Sequence, residues 1–497
     1  MKMINYVKER DKIIMRKTVL ILMLLTLILA SCSTPGENAV SDVATTTAET
    51  VAEETTEVEI LKDDLGEFDF EEYVFNVWSR TATYFHGNLD VEEETGVVLD
   101  DAIYRRNRKI EERFNFKFSE VTGTDDASTK TSLLAGDYAY DIINTRIPNA
   151  FAWAQEGLLH SVEKLPYIDI EKPYWHQELN GDLTIAGKMF FASGAFNITA
   201  YDYTQTLLFN KSIIVDSGLD DLYQLILDGE WTFDQFAEYC LAVQQDLNGD
   251  GVYGDDDLHG YLATSRMVMP SFWLAGGVQT VYKDNDDIPY FAALEPTFIT
   301  VYDKILDCVR DNGAWYKAAS PNVQNDPLLV TLFKNGNALF FDNCFYTLKD
   351  LRDMEIDFGI IPYPKLNEQQ DQYYTRLHWT EICCIPINAG DADLERTSVI
   401  LEAMACESEL TVIPAYYDIA LKTKMTRDEE SEKMIDILFN TRVLDFGDTI
   451  WADVIRDGKF VSMFETSNRN LVSTMESIEK SVQTKIDKLV ETFINLE

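Results

Sequence analysis

Between Val19 and Ala30 the chain is apolar almost without interruption, and Arg16 and Lys17 precede the run. Roughly 12 such residues are too few to cross a ~30 Å hydrocarbon core as a helix, but they suit the core of an export signal. No later run approaches the ~18 apolar residues that a membrane-spanning helix needs. From Ser33 to Leu61 the pattern disappears: Thr, Ala and Glu dominate, and there is no Lys or Arg. A segment that cannot bury apolar surface is expected to stay a disordered, self-repelling tether, with folding starting near Glu67.

Beyond the tether, short strand patterns alternate with helical ones. Phe75 to Trp78 predicts a first strand, and Asp100 or Asp101 is placed to cap a helix with Ile103, Ile110 and Phe114 on one face. Asn115 to Val121 predicts a second strand, Lys130 to Ala135 a helix, and Asp141 to Asn144 a short buried strand. A further α/β run starts near Thr206 with Leu207 to Lys211, and Thr232 is the expected cap of a helix beginning around Phe233. Strand patterns return at Ala338 to Phe341, Asp357 to Pro362 and Ile382 to Ile387. The last quarter is helical in pattern, with an amphipathic stretch from Arg427 to Phe439. Strands alternating with helices predict mainly parallel sheets covered on both faces. Arg105, Arg106, Arg108 and Lys109 are expected to form a solvated helix face, with Arg108 pairing to Glu111 and Glu112.

Composition narrows the function. A formal charge of −43 argues against nucleic acid and anionic membrane surfaces, both of which demand clustered Lys and Arg. The chain is long enough for two lobes at ~100 to 200 residues per domain, and 46% hydrophobic residues can fill them. Of the cysteines, Cys240, Cys308, Cys344, Cys383, Cys384 and Cys406 form no C-x-x-C pair and are expected to be mostly buried thiols. Adjacent residues of a strand face opposite ways, which discourages a bond between Cys383 and Cys384. Cys32 is different. Leu29-Ala30-Ser31-Cys32 directly after the apolar run is a lipobox, so Cys32 is expected to be the lipidated N-terminus after removal of residues 1–31. Such a protein is tethered outside the bacterial cytoplasmic membrane, in the periplasm if the cell has an outer membrane.

One motif carries a chemical mechanism. Asp246-Leu247-Asn248-Gly249-Asp250-Gly251 and the following residues to Asp257 have the spacing of a calcium loop. Calcium wants six to eight oxygens, which alternate side chains on a tight turn can supply. Asp246, Asn248 and Asp250 would give side-chain oxygens, Val252 its carbonyl, and Asp257 the closing carboxylate, with Asp255 or Asp256 able to substitute. A single loop of this kind suits a structural staple. The competing reading is an Asn-Gly-Asp-Gly turn that binds nothing.

Several motifs in order resemble the extracellular solute-binding proteins, family 1, of ABC importers: Leu133-Leu134-Ala135-Gly136-Asp137 before Tyr140-Asp141-Ile142; Phe209-Asn210-Lys211 with Gly218-Leu219; and Trp231-Thr232-Phe233-Asp234-Gln235-Phe236. The set continues through Gly260-Tyr261, Phe333-Lys334-Asn335-Gly336-Asn337-Ala338 and Asp357-Phe358-Gly359 to Pro362-Tyr363-Pro364. Ile103 to Arg108 and Pro414 to Asp418 are similar to a longer lipoprotein subgroup. The resemblance implies an α/β, two-lobed, periplasmic-binding-protein-like type II fold that closes on a ligand. Lobe 1 would hold residues 66–195 plus 350–392 after a tether at 32–65, and lobe 2 residues 196–349 plus 393–497. The hinge would run through Ser193 to Thr206 and Cys344 to Thr347. It also implies a permease partner, a carbohydrate ligand, expected to be an oligosaccharide and in keeping with the size of the chain, and a monomer. Some members carry a calcium loop at this place.

Ligands of doubly wound sheets lie beyond the carboxyl ends of the strands. That rule nominates Trp78, Arg80, Asn144 and Arg146, then Tyr201, Asp202 and Tyr203 at the hinge. Trp273, Gly276 and Gly277 follow in lobe 2, and Trp379 and Glu381 in the returning segment. Aromatic rings stack on the apolar faces of sugars while polar groups bond their hydroxyls. No catalytic residue is expected: H-E-x-x-H, G-x-S-x-G and phosphate-loop motifs are absent. A tethered glycan hydrolase, which needs only two suitably spaced carboxylates, is the rival reading. A non-sugar solute such as a peptide, or a glycan adhesin, are the others.

Overall fold

The computed structural model describes residues 61–80, 88–317, 326–351, 353–422 and 429–496. The export signal, Cys32 and nearly all of the tether lie outside the described residues. Packing begins a little earlier than expected, since Leu61, Leu65, Phe68 and Phe70 already lie against the core.

Two five-stranded sheets organise the chain. The first contains β1 (Tyr73–Arg80), β2 (Phe116–Gly123), β3 (Ile142–Arg146) and β4 (Phe191–Ala192), joined late in the chain by β13 (Glu381–Cys384). Its order is β2-β1-β3-β13-β4; β1 runs parallel to β2 and β3, and β13 runs antiparallel to β3 and β4. The second contains β5 (Gln205–Asn210), β6 (His259–Ala263), β9 (Trp315–Lys317), β10 (Ala338–Cys344) and β11 (Phe358–Ile361), in the order β11-β5-β10-β6-β9. A hairpin of β7 (Val281–Lys283) and β8 (Pro289–Phe291) and a two-residue pair of β12 (Thr375–Arg376) with β14 (Arg442–Val443) complete the strands.

The local chemistry explains these elements. The helix Val98–Phe114 buries Leu99, Ile103, Ile110 and Phe114, a helical spacing, and ends at Asn115 in the left-handed conformation with φ 53°. Asn tolerates that geometry better than most residues, and β2 follows at once. The helix starts at Val97, not at the expected aspartates: Asp101 instead accepts hydrogen bonds from the Thr95 and Gly96 amides. Thr232 does cap the helix Phe233–Val243, accepting from the Gln235 amide. Every residue of β5 and β10 is buried, as expected of strands covered on both faces. The helix after Thr232 presses on β6 so closely that a Cβ at Gly260 would sit 2.5 Å from the Cys240 Cβ. All six cysteines beyond Cys32 are free and buried, and Cys383 and Cys384 do face different cores.

Two boundaries differ from expectation. β11, expected in lobe 1, pairs with β5 in the second sheet. The helices Asp391–Glu407 and Ile413–Lys422, expected in lobe 2, pack on the lobe 1 helix Val98–Phe114. The chain thus crosses between lobes from β4 to β5, and again between β11 and β13. The final helix, Leu471–Asn495, belongs to both lobes. It buries Leu471, Met475, Ile478, Val482, Ile486, Leu489 and Phe493, and at ~1.5 Å per residue it is about 38 Å long. Its Phe493 ring lies 5.8 Å from Phe151 and 5.0 Å from Phe190, both in lobe 1. The basic cluster divides too: Arg105 and Arg108 form surface ion pairs, whereas Arg106 is buried and bonds to Leu89 O, Asn107 and Ser408. No described helix is long and apolar enough to cross a membrane.

Candidate functional site

The two sheets turn their strand ends toward each other across the segment Leu377–Thr380, which carries the chain from β12 to β13. β3 delivers Asn144 and Arg146 to this junction, and the antiparallel register places Glu381 directly opposite Arg146. The Arg146 guanidinium lies over the Trp379 ring, 4.6 Å from its centroid. From the second lobe, Arg266 approaches the same ring at 5.9 Å. Arg266 belongs to the helix Ser265–Ala275, whose first turn follows the carboxyl end of β6. Its guanidinium is fixed by two 2.9 Å hydrogen bonds to Asp457. The His378 ring stacks on Trp379 at 5.2 Å, and Tyr203 packs edge-on to Tyr346 and His378.

Buried polar atoms here lack partners. Asn144 Oδ1, Arg146 Nε and both carboxylate oxygens of Glu381 in lobe 1 make no hydrogen bond among the described residues. Neither do Thr264 Oγ1 and Asn343 Nδ2 in lobe 2. Asn144, Asn343 and Glu381 are each 1% exposed. Burying such groups unmade costs about 1 to 3 kcal/mol each, so a ligand that supplies the missing bonds recovers that cost. Burial pushes the Glu381 carboxyl up to about 7, with the nearby Thr199 hydroxyl and the Arg146 and Arg80 guanidiniums pulling the other way.

Immediately behind this rim lies a second charged cluster that is fully bonded. Asp448 receives hydrogen bonds from Arg376 at 2.7 and 2.9 Å and from Arg456 at 2.6 Å. Burial works against the Asp448 charge, but the two guanidiniums prevail and hold its carboxyl well below the usual range. Burial and Arg376 together push His378 down to about 3, leaving it neutral. On the lobe 2 side, Gln205, Tyr261 and Tyr363 all donate to Asp342, whose carboxyl burial raises to about 7.

The nominated residues divide accordingly. Asn144, Arg146, Tyr203, Trp379 and Glu381 gather at the junction. Arg80 stands at its edge, paired to Asp126 and bonded to Thr124 O at 2.9 Å. Trp78 is 5% exposed and belongs to the core. Tyr201 packs among His176, Tyr416 and Phe439, and Asp202 accepts from Tyr416 at 2.8 Å, so both serve the hinge from its other side. Trp273 is fully buried against Phe298 and Phe460. A Cβ at Gly276 would meet Val301 at 2.8 Å, and Gly277 lies beside Tyr374 and Gln370; neither glycine reaches the junction. Thr264 and Arg266 were not nominated. The strand-end rule points to them, since they directly follow β6, whereas Trp273 is two turns further along the same helix.

The calcium-type loop lies elsewhere, between the helix Phe233–Val243 and β6. Its backbone amides orient the expected ligands: Asp246 accepts from Gly251 N at 2.8 Å, Asn248 from Asp250 N at 2.8 Å, and Asp250 from Val252 N at 2.7 Å. Asp246 also accepts from Gly249 N at 2.6 Å, and Asp257 is engaged in the same way. It is buried and spends its oxygens on the Leu247 and Gly254 amides at 2.8 and 2.7 Å. Asp256 instead points back to the loop, 3.0 Å from Asn248 Nδ2, while Asp255 accepts from Tyr316. The oxygen donors suit a hard cation with Asp256 as the closing carboxylate. Among the described residues no three of His, Cys, Asp and Glu are already drawn together around a single point.

Two α/β lobes joined by crossing strands, with incomplete polar walls facing each other, define a two-lobed binding protein. A family model of bacterial extracellular solute-binding proteins matches residues 110–380, more than half the chain, and the protein belongs to that family. Solved structures of the same fold are remote in sequence. An ABC substrate-binding protein from Listeria monocytogenes, in complex with cycloalternan, is 10% identical with a TM-score of 0.54, over 84% of this chain and 99% of that one. A cyclo/maltodextrin-binding protein complexed with maltotetraose is 12% identical with a TM-score of 0.54, over 86% and 97%. UgpB from Mycobacterium tuberculosis, in complex with glycerophosphocholine, is 16% identical with a TM-score of 0.53, over 84% and 99%. No curated protein matches the sequence.

Proposed function

We propose that this extracellular solute-binding protein is the receptor of an ABC importer, capturing an oligosaccharide between its lobes and passing it unchanged to a permease. The observation that carries this reading is the set of unpartnered polar atoms on Asn144, Arg146, Glu381, Thr264 and Asn343. It mixes donors with acceptors, and one of its members, Arg146, lies over the Trp379 indole, which suits a ligand with many hydroxyls and apolar C–H faces. Two of the structural neighbours carry saccharides by their descriptions, in keeping with this choice. Titration calorimetry against an oligosaccharide panel, with chromatography of the mixture afterwards, is the test. One ligand bound per chain and unaltered sugar are expected; released products would establish the hydrolase reading instead.

Lipid on Cys32 would keep the receptor beside its permease, with the acidic tether as slack; Cys32→Ala should release the protein into the medium. A calcium ion on Asp246, Asn248, Asp250, the Val252 carbonyl and Asp256 would staple the loop between the helix Phe233–Val243 and β6.

A further inference from the structure

We propose that the saccharide taken by this cleft is anionic, with a carboxylate or sulfate oxygen seated against Arg146 beside Trp379. This rests on the carbohydrate reading above and narrows it.

In a chain of 85 acidic and 42 basic residues, Arg80, Arg146, Arg266, Arg376 and Arg456 all converge on the junction between the lobes. Asp126 answers Arg80, Asp457 answers Arg266 and Arg456, and Asp448 answers Arg376 and Arg456. Arg146 has no ion pair among the described residues, and its Nε is buried without a partner. A half-buried guanidinium with no ion pair can accept a counter-ion, and its planar fork is suited to a bidentate oxyanion. The Trp379 ring lies against it.

The one acid positioned to neutralise it is Glu381, opposite in the register. The groups facing Glu381 are Arg146 and Arg80 from β3 and β1 and the Thr199 hydroxyl from the hinge segment. Burial keeps much of this acid protonated near neutrality, so Arg146 keeps its charge for a ligand. The sign of the pH dependence follows. An anionic sugar binds best with Glu381 neutral, so its affinity should rise as pH falls from 8 to 6, where the ligand stays ionised. A neutral sugar donating hydroxyls to an ionised Glu381 would show the reverse.

The experiment is calorimetry on the full chain in detergent. The ligands are galacturonate and glucuronate di- and trisaccharides, their methyl esters, sulfated galactose disaccharides, and the neutral galactose and glucose counterparts. One charged class should bind at least about 10-fold more tightly than its neutral or esterified form, the size of a charge-assisted hydrogen bond. Arg146→Gln should erase that difference. The esters test the same contact on the unaltered protein, so a variant that misfolds does not remove the test. Uronides and sulfated sugars separate the two sources of negative charge. Equal or tighter binding of neutral sugars would overturn the inference while leaving the carbohydrate reading in place; binding of no saccharide would overturn both.

Discussion

Two buried charge clusters lie side by side where the lobes meet, and they are built on opposite principles. Around Asp448, two arginines bring their hydrogen bonds to one carboxylate, and the neutral His378 completes the packing. Around Glu381, among the described residues, the carboxylate oxygens and Asn144 Oδ1 accept no hydrogen bond and Arg146 makes no ion pair. Both carboxylates are buried; their bonding differs. A satisfied cluster joins the crossing segments and fixes their geometry, whereas an unsatisfied one is a set of half-made bonds waiting for a partner. The difference separates the part of the junction that holds the molecule together from the part whose bonds are left unmade among the described residues.

Substitution should expose that contrast most strongly at Asp448. Asp448→Ala leaves Arg376 and Arg456 buried without their counter-ion and should cost about 3 to 5 kcal/mol in urea unfolding. Because the folded carboxyl is held below its ordinary value of 3.8, this contribution is present above that pH and is lost as pH falls below it.

Glu381→Gln should do the opposite. Its carboxyl is raised from 4.5 to about 7, so ionising it in the folded state opposes stability increasingly as pH rises from 4.5 to 7. The substitution removes that opposition and should stabilise the protein by up to about 3 kcal/mol at pH 8, with little effect at pH 4. A loss of stability at pH 8 would show that Glu381 is bonded in the folded protein after all.

A smaller effect is expected at the calcium loop. Calcium at ten times its dissociation constant would add about 1.4 kcal/mol, so chelation should lower the melting temperature, and Asp246→Ala should abolish the dependence. No shift on chelation would leave an Asn-Gly-Asp-Gly turn stabilised by its own amides. The smallest effect belongs to an exposed pair, Arg105 with Glu94. A double-mutant cycle there should give less than about 1 kcal/mol, setting the scale against which the buried clusters are judged.

Much of this was legible in the residues. Strand patterns located β1, β3, β5 and β10 because their faces are uniformly or alternately buried, and Thr232 announced its helix by a local hydrogen bond. Long-range partners were not legible. β11 carries the same apolar pattern whichever sheet accepts it, and nothing local to Arg106 distinguishes a solvated arginine from one bonded to Leu89 and Ser408. At the junction, the strand-end rule points to Asn144, Arg146 and Glu381, whereas in lobe 2 it is carried two turns too far along the helix Ser265–Ala275. An aromatic residue drew attention to Trp273, although Thr264 and Arg266 stand at the strand end. Asp257 fits the spacing of the loop, and its oxygens accept from the backbone amides of Leu247 and Gly254, which no spacing rule can reveal.

The central claim, that the unpartnered groups at the junction are the ligand site, is tested most directly by the crystal structure of the full chain with its bound saccharide. The account predicts one sugar against Trp379, with its oxygens at ~2.7 to 3.2 Å from Asn144 and Glu381 in lobe 1 and from Asn343 or Thr264 in lobe 2. A saccharide bound elsewhere, with these atoms still without partners, would contradict it.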